Sequence, residues 1–240
     1  HTDAVVNPDA LVVGFARRAA GYKRSDLIFR NSEIIDPLLR EGQLQLIFSG
    51  KAHPNDEYGK KIIHDLVKMD RKYKNSVVFL ENYNMEIARL MVQGCDVWLN
   101  NPLRPLEASG TSGMKAAMNG VLNLSVVDGW VGEGPQHGVS GWLLDYLVVN
   151  PDPVKQDEHD LQALYHVLFN DVIPTYYNSR HRWVDMMRAS IDMSHYQFSS
   201  LRMIREYYEL MYRPVMEQGD EITAPWMIPS RPVCEQQRYR

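Results

Sequence analysis

Cysteine is almost missing from this chain: two in 240 residues, Cys95 and Cys234. Thiols so far apart make neither a disulfide framework nor a metal spacing. Cys95, inside an apolar run, reads as a buried free thiol, and a reducing cytoplasm is the expected setting. The histidines, His53, His64, His137 and His195 among them, are scattered without the spacing of metal ligands, so no metal is expected. A basic excess is also lacking: 26 Lys+Arg against 30 Asp+Glu give a formal net charge of −4. Neutralising a phosphate backbone needs surplus cations, which argues against a general nucleic-acid binder. No apolar run reaches the roughly 18 residues of a membrane span, no signal-peptide pattern opens the chain, and no repeat or low-complexity tract interrupts it. What is there, 45% hydrophobic and 23% charged residues, is the composition of a soluble globular protein. The length suits one large domain or two small ones. His1-Thr2-Asp3 is an unusual opening for a gene product, so a processed, tagged or truncated chain is expected.

Apolar runs alternate with amphipathic ones. Leu11 to Ala16, Leu44 to Gly50, Val77 to Leu80, Val97 to Leu99 and Val121 to Val126 read as strands. Between them helices are expected from Ser25-Asp26 to about Leu39, stopped by Gly42, and from the loop Lys51 to Asp56 to about Lys72, with Ile62, Ile63, Leu66 and Val67 on one face. A further helix runs from Met85 to about Gln93. This alternation predicts βαβ units and an α/β fold with a doubly wound, Rossmann-like parallel sheet. Beyond Asp128, read as a turn residue, Gly132 to Gly141 reads as a loop holding a solvated His137, and Pro151-Asp152-Pro153 as a break. C-terminal helices are expected over His159–Phe169, Tyr176–Met193 and Phe198–Tyr212, with Trp183, Tyr196, Tyr207 and Tyr208 as core aromatics. Glu217 to Arg240 reads as an extended tail.

The most informative stretch is Glu107-Ala108-Ser109-Gly110-Thr111-Ser112-Gly113-Met114-Lys115, which opens into the helix formers Met114 to Met118. Small residues at a helix start expose unpaired N–H groups at the positive end of the dipole, an anion cradle. Ser109, Thr111 and Ser112 add hydroxyls, and Lys115 lies about one turn in. In doubly wound sheets ligands sit beyond the C-terminal strand ends, where Arg17 to Lys23, Lys51 to Asn55, Glu81 to Asn84 and Asn100 to Lys115 all fall. Arg18 and Lys23, with Arg17 and Arg24 nearby, would supply cations for one or two phosphates. Taken singly, these pieces also read as a solvated basic loop and a Gly-rich loop with a snorkelling lysine; the topology that aims them at one place favours the site. A Walker A loop is excluded, because two residues rather than four separate Gly110 from Gly113 and Ala116 follows the lysine. An amine among apolar side chains and other cations is instead a candidate for a Schiff base with an aldehyde cofactor such as pyridoxal phosphate.

The runs Phe79-Leu80-Glu81-Asn82-Tyr83 and Glu107 to Lys115, with Tyr22-Lys23-Arg24 after an Arg-Arg pair and Ser49-Gly50-Lys51-Ala52 in matching order, resemble the α-glucan phosphorylases, the glycogen and maltodextrin phosphorylase family. Asn100-Asn101-Pro102 and Arg104-Pro105-Leu106 look like its shorter, prokaryotic-type branch. The resemblance implies the C-terminal half of a two-domain GT-B glycosyltransferase, residues 1–216, with 217–240 as tail and the N-terminal domain absent. It implies retaining phosphorolysis of an α-1,4-glucan by orthophosphate to glucose 1-phosphate, with pyridoxal phosphate held as a Schiff base on Lys115. By the same resemblance Arg18 and Lys23 surround the two phosphates, Thr111 binds the cofactor phosphate, and Tyr83 lies near the cofactor ring. Glu107, Ser109 and Gly110 hold sugar hydroxyls. Arg17-Arg18 stands where better-known members have Lys-Arg, and Ala19-Ala20-Gly21 replaces bulkier polar residues; both departures keep the cations. A half-enzyme is expected to fold but not to turn over. The rival expectations are a sugar-nucleotide-dependent glucan synthase without pyridoxal phosphate, disfavoured because Lys115 stands where many such enzymes carry a second glutamate, and a non-catalytic anion- or glucan-binding module.

Overall fold

The computed structural model describes residues 4–5, 7–144 and 149–218. Among them six strands form one sheet: β1 (Leu11–Ala16), β2 (Leu44–Ser49), β3 (Val77–Leu80), β4 (Val97–Asn100), β5 (Leu122–Val126) and β6 (Gly141–Leu144). All neighbours pair in parallel, in the order β3-β2-β1-β4-β5-β6. The chain steps outward from β1 to β3, then crosses back to lay β4 on the other side of β1. At that reversal the loops leaving β1 and β4 diverge and leave a crevice. The doubly wound α/β fold expected from the alternation is thus what the chain adopts.

Helices α1 (Ser32–Arg40), α2 (Glu57–Lys72), α3 (Met85–Gly94) and α4 (Thr111–Met118) connect successive strands, and α5 (Pro153–Val167), α6 (Ile173–Asn178) and α7 (Arg180–Gln197) follow the sheet. Local chemistry starts them: Asp56 accepts the Gly59 N–H at 2.8 Å and Asn84 the Ile87 N–H at 2.9 Å, each satisfying an otherwise orphaned donor. The period of two in β1 divides the interior. Leu11, Val13 and Phe15 face the larger core with Ile35, Leu39, Ile62 and Leu164. Val12 and Ala16 face a smaller one with Ile87, Met91, Cys95 and Trp98. Gly14 lies on that second face, where a Cβ would meet Cys95 Sγ at 2.5 Å. Burial pushes the Cys95 thiol up to about 12, as expected of an inert buried cysteine.

Several expectations fail for identifiable reasons. The helix expected from Ser25 to Leu39 is a 3-10 turn (Leu27–Phe29) followed by α1. The break is at Asn31, whose backbone leaves the helical region (φ −128°, ψ 66°); the Tyr165 hydroxyl spans it, 2.8 Å from the Ile28 carbonyl and 2.9 Å from that of Asn31. Pro151-Asp152-Pro153 is a helix start: Asp152 accepts the Val154 N–H at 2.9 Å, and Pro153 sits in the first turn, where its missing N–H costs nothing. Asn178 and Arg180 belong to separate helices because Ser179 leaves the helical region. Strand β6 starts at Gly141, the last residue of the glycine-rich loop, and carries no sequence expectation beyond it; its Trp142 packs on Trp183 at 5.4 Å. Trp183 is a core aromatic, but Tyr196 (84% exposed), Tyr207 and Tyr208 are not.

Contacts divide the chain into two compact units, His1–Phe198 and Ser199–Arg240. In the second, α8 (Ser200–Tyr207) and α9 (Arg213–Gln218) are joined by a wider π-helical turn, and none of their residues is buried. Glu217 and Gln218, expected as tail, close α9; residues 219–240 lie outside the described residues. No helix among the described residues is long and apolar enough to cross a membrane.

Arg24 fastens the first unit together. Its guanidinium is 2% exposed and reaches Asp160 at 2.6 Å, Asp157 at 2.8 Å, and the carbonyls of Asn101 and Pro102 at 2.8 and 2.9 Å. It therefore does not face the crevice, contrary to the sequence reading that counted it among the phosphate cations. Removing one partner of a buried ion pair strands the other charge, so Arg24→Ala should destabilise the fold by about 3–5 kcal/mol in urea unfolding.

Candidate active site

Strand β1 ends at Ala16 and delivers Arg17 directly into the crevice; a single 3-10 turn (Gly21–Lys23) then brings Lys23 back to it. From the neighbouring β4 the chain runs through a loop to Gly110, whose left-handed backbone (φ 88°) turns it into α4. The helix starts at Thr111, three residues before the strong helix formers, because Gly110 can adopt that turn without strain. Thr111 and Lys115, one turn apart on one helix face, both line the cleft.

At its centre is Glu107. The carboxylate is 8% exposed, and its Oε2 receives Arg17 at 2.7 Å and Lys23 at 2.8 Å. The other Nη of Arg17 donates to Asn100, whose amide donates to Ser125 at 2.9 Å. Burial alone would raise the Glu107 carboxyl, but the hydrogen bond from Lys23 and the charge of Arg17 outweigh it and hold the carboxyl below its ordinary value. Burial pushes the Tyr83 phenol up, against the charge of Arg17.

The loop carrying Glu107 is held from beneath by the turn after β5. Asp128 accepts the Glu107 N–H at 2.9 Å and the Gly129 N–H at 3.0 Å, and the Trp130 N–H donates to the Ser109 carbonyl at 2.9 Å. The start of α4 is held too: Asn123 donates to the Gly113 carbonyl at 3.0 Å and the Trp98 indole to Ser112 at 3.3 Å.

These residues surround a cleft of about 920 Å³. Five cations line it (Arg17, Arg18, Lys23, Arg89 and Lys115) against two carboxylates, Glu86 and Glu107. That excess of three positive charges, in a chain of net charge −4, concentrates potential for an anionic ligand. Apart from Arg24, the site residues anticipated from the sequence line this cleft: Arg18, Lys23, Tyr83, Glu107, Ser109, Gly110, Thr111 and Lys115. Arg18 and Lys115 are exposed and Lys23 is buried. His137 lies elsewhere, its Nδ1 accepting the Leu143 N–H at 3.1 Å beside a separate groove with His159 and His166. Met114 packs against the cluster of Ala117, Trp130 and Val131.

Sequence reasoning gave Arg17 too small a part. As the first residue beyond a buried strand it points where the strand ends, whereas Arg18 points to solvent. Asp128 read only as a turn residue, although it stands two residues beyond the end of β5 and so sits at the same sheet edge. Arg89, one turn into α3, carried no motif.

Three comparisons bear on this geometry. The family model described as Carbohydrate phosphorylase matches residues 2–133. The chain is 48% identical to the maltodextrin phosphorylase of Thermococcus litoralis over 211 residues, 86% of this chain and 25% of that protein. It is 43% identical to the glycogen phosphorylase of Aquifex aeolicus over 222 residues, 89% of this chain and 32% of that protein. The chain therefore spans a quarter to a third of the length of these relatives. Among solved structures, Anabaena Alr3699/HepE in complex with UDP and glucose superposes with a TM-score of 0.61 at 16% identity, covering 85% of this chain and 49% of that one. At that identity the likeness is one of fold.

A lowered folded-state value for Glu107 contributes stability that is complete above its ordinary 4.5 and lost as pH falls through the folded value. Glu107→Gln should therefore flatten the acid side of the stability curve in urea unfolding. The same variant frees Arg17 and Lys23 from a competing anion. Inorganic phosphate should then bind about tenfold more tightly by calorimetry, the worth of one charge-assisted hydrogen bond.

Proposed function

This chain belongs to the carbohydrate phosphorylase family, and from that premise we propose that it is the cofactor- and phosphate-binding half of an α-1,4-glucan phosphorylase of GT-B architecture. In this reading the whole enzyme transfers a glucosyl unit from an α-glucan to orthophosphate with retention, giving glucose 1-phosphate. One observation supports it above the others: a buried Arg17–Glu107–Lys23 cluster, a helix N-terminus and an exposed lysine share one cationic cleft at the switch point.

The residues present suit pyridoxal phosphate. Its phosphate would lie against the first turn of α4, where Thr111 and Ser112 line the cleft and the helix dipole favours negative charge. Lys115, one turn further on the same face, would hold the aldehyde through its amine, and Tyr83 would flank the ring. When bound, the cofactor supplies a second phosphate group able to exchange a proton with orthophosphate.

The protein's own groups do the rest. Arg18, with Arg17 and Lys23, would hold orthophosphate and neutralise its charge; the planar fork of an arginine suits two phosphate oxygens at once. Glu107 would accept hydrogen bonds from sugar hydroxyls, and backbone donors of Ser109 and Gly110 would meet sugar oxygens. Placed around the point where positive charge develops on the sugar, fixed groups of this kind lower the barrier without reorganising. The Arg17–Glu107–Lys23 cluster adds a condition: the carboxylate that would meet the sugar also occupies the two cations that would meet phosphate. Sugar and phosphate would thus compete for, and rearrange, one hydrogen-bond set.

The remaining length of the relatives would supply the opposite wall of the cleft, so this chain alone is proposed to bind ligands without turnover. The buried thiol of Cys95 supports a reducing, cytoplasmic setting.

Incubation with pyridoxal phosphate followed by borohydride should yield one reduced adduct, mapped by peptide mass spectrometry to Lys115 and lost in Lys115→Ala. A colourless protein that instead binds a nucleotide sugar would overturn the reading in favour of a synthase, and oligosaccharide binding with neither would leave a binding module. No glucose 1-phosphate should form from maltodextrin and phosphate with the chain alone; formation would overturn the half-enzyme reading.

A further inference from the structure

Both salt bridges of Glu107 run to long side chains, Arg17 and Lys23, which can follow a moving carboxylate. They cannot by themselves fix where it stands. That task falls to its backbone. The Glu107 N–H is held by Asp128 Oδ2 at 2.9 Å across 21 residues of sequence, while Oδ1 holds the Gly129 N–H at 3.0 Å. Asp128 is itself tied to the sheet, its N–H donating to the Val126 carbonyl at 3.0 Å at the end of β5. Gly129 makes the close approach possible. Its backbone is left-handed (φ 57°), and a Cβ there would stand 2.5 Å from the Ser109 carbonyl oxygen and 2.9 Å from that of Glu107. The Trp130 N–H to Ser109 carbonyl bond closes the far end of the bracket at 2.9 Å. Asp128 does not line the cleft, so it acts only through what it holds.

We propose that Asp128 is a positioning residue of the cleft: through the backbone of Glu107 it fixes the point at which that carboxylate meets Arg17, Lys23 and a sugar hydroxyl. The inference deepens the reading given above and rests on it for the sugar. The position of Glu107 relative to the cations rests on the geometry alone. Rigidity passes from β5 through Asp128 to a loop whose sequence, Glu107-Ala108-Ser109-Gly110, has little stiffness of its own. A side chain that only closed the 128–129 turn would have no bearing on Glu107. A bracket would control both its charge environment and its aim.

Two measurements decide it, on the chain as it stands and on Asp128→Ala, Asp128→Asn and, as control, Asp152→Ala, which removes a comparable acceptor from the start of α5. In the first, the Glu107 side-chain carboxyl is titrated by carbon-detected NMR. Its midpoint should rise toward the ordinary 4.5 in Asp128→Ala, part of the way in Asp128→Asn, and not at all in Asp152→Ala. In the second, glucose 1-phosphate and inorganic phosphate are bound in parallel by calorimetry. The affinity for the sugar phosphate relative to phosphate should fall about tenfold in Asp128→Ala, the worth of one hydrogen bond to a charged group. General loosening would weaken both ligands alike. An unmoved Glu107 midpoint in a folded Asp128 variant, or an equal shift in Asp152→Ala, overturns the proposal; if Asp128→Ala does not fold, Asp128→Asn decides. If neither ligand binds the unsubstituted chain, the functional reading of the cleft fails, and the Glu107 titration still settles the part played by Asp128.

Discussion

One negative charge set among positive ones organises this protein. Glu107 enters a nearly dry pocket between Arg17 and Lys23, and each member of the trio comes from a loop at the same sheet edge. Burying any of the three alone would be costly; together the carboxylate offsets one of the two positive charges. Their meeting is a consequence of strand order. Because β4 lies beside β1, the segment after β1 and the segment after β4 leave the sheet side by side, and residues some 84 positions apart in the chain bond directly. A different order with the same strands would separate the acid from its cations.

Much of this was legible in the amino-acid order, and for physical reasons. β1 and β3 are unbroken by polar side chains through their last residue, and β2, β4 and β5 stay mostly apolar although they bury Gln45, Asn100, Asn123 and Ser125, as expected of strands covered on both faces. The helices that carry strong end signals, Asp56 for α2 and Asn84 for α3, begin where those residues place them. The cleft residues were legible because parallel topology brings every post-strand loop to one edge, so a motif placed after a strand has its location decided with it. The elements missed depend on distant partners. A tyrosine from α5 spans the break before the first helix, and a tryptophan of β6 packs on one from α7. Side-chain direction was equally hidden. Only its place as the first residue beyond β1 sets Arg17, which turns inward, apart from Arg18, and nothing local shows that Arg24 is drawn to Asp157 and Asp160. Helical spacing identified an apolar stripe at Tyr196, Tyr207 and Tyr208 without revealing that all three are exposed.

Family membership and geometry carry different parts of the interpretation. The likeness to phosphorylases from Thermococcus litoralis and Aquifex aeolicus covers nearly the whole chain but only a quarter to a third of those proteins, so it speaks for the cleft's ancestry and not for a complete catalytic apparatus. The geometry adds what ancestry does not: which arginine faces the acid, and which strand end holds it in place.

The packing around Cys95 has a further use. Its sulfur fills the space opposite Gly14 beneath α3, and its thiol is reluctant to ionise. A thiol-specific reagent in solution would therefore find it only when that helix lifts from the sheet. With the modified peptide of Cys95 read apart from that of Cys234, its rate of modification becomes a clock for the opening of the layer on which the cleft is built.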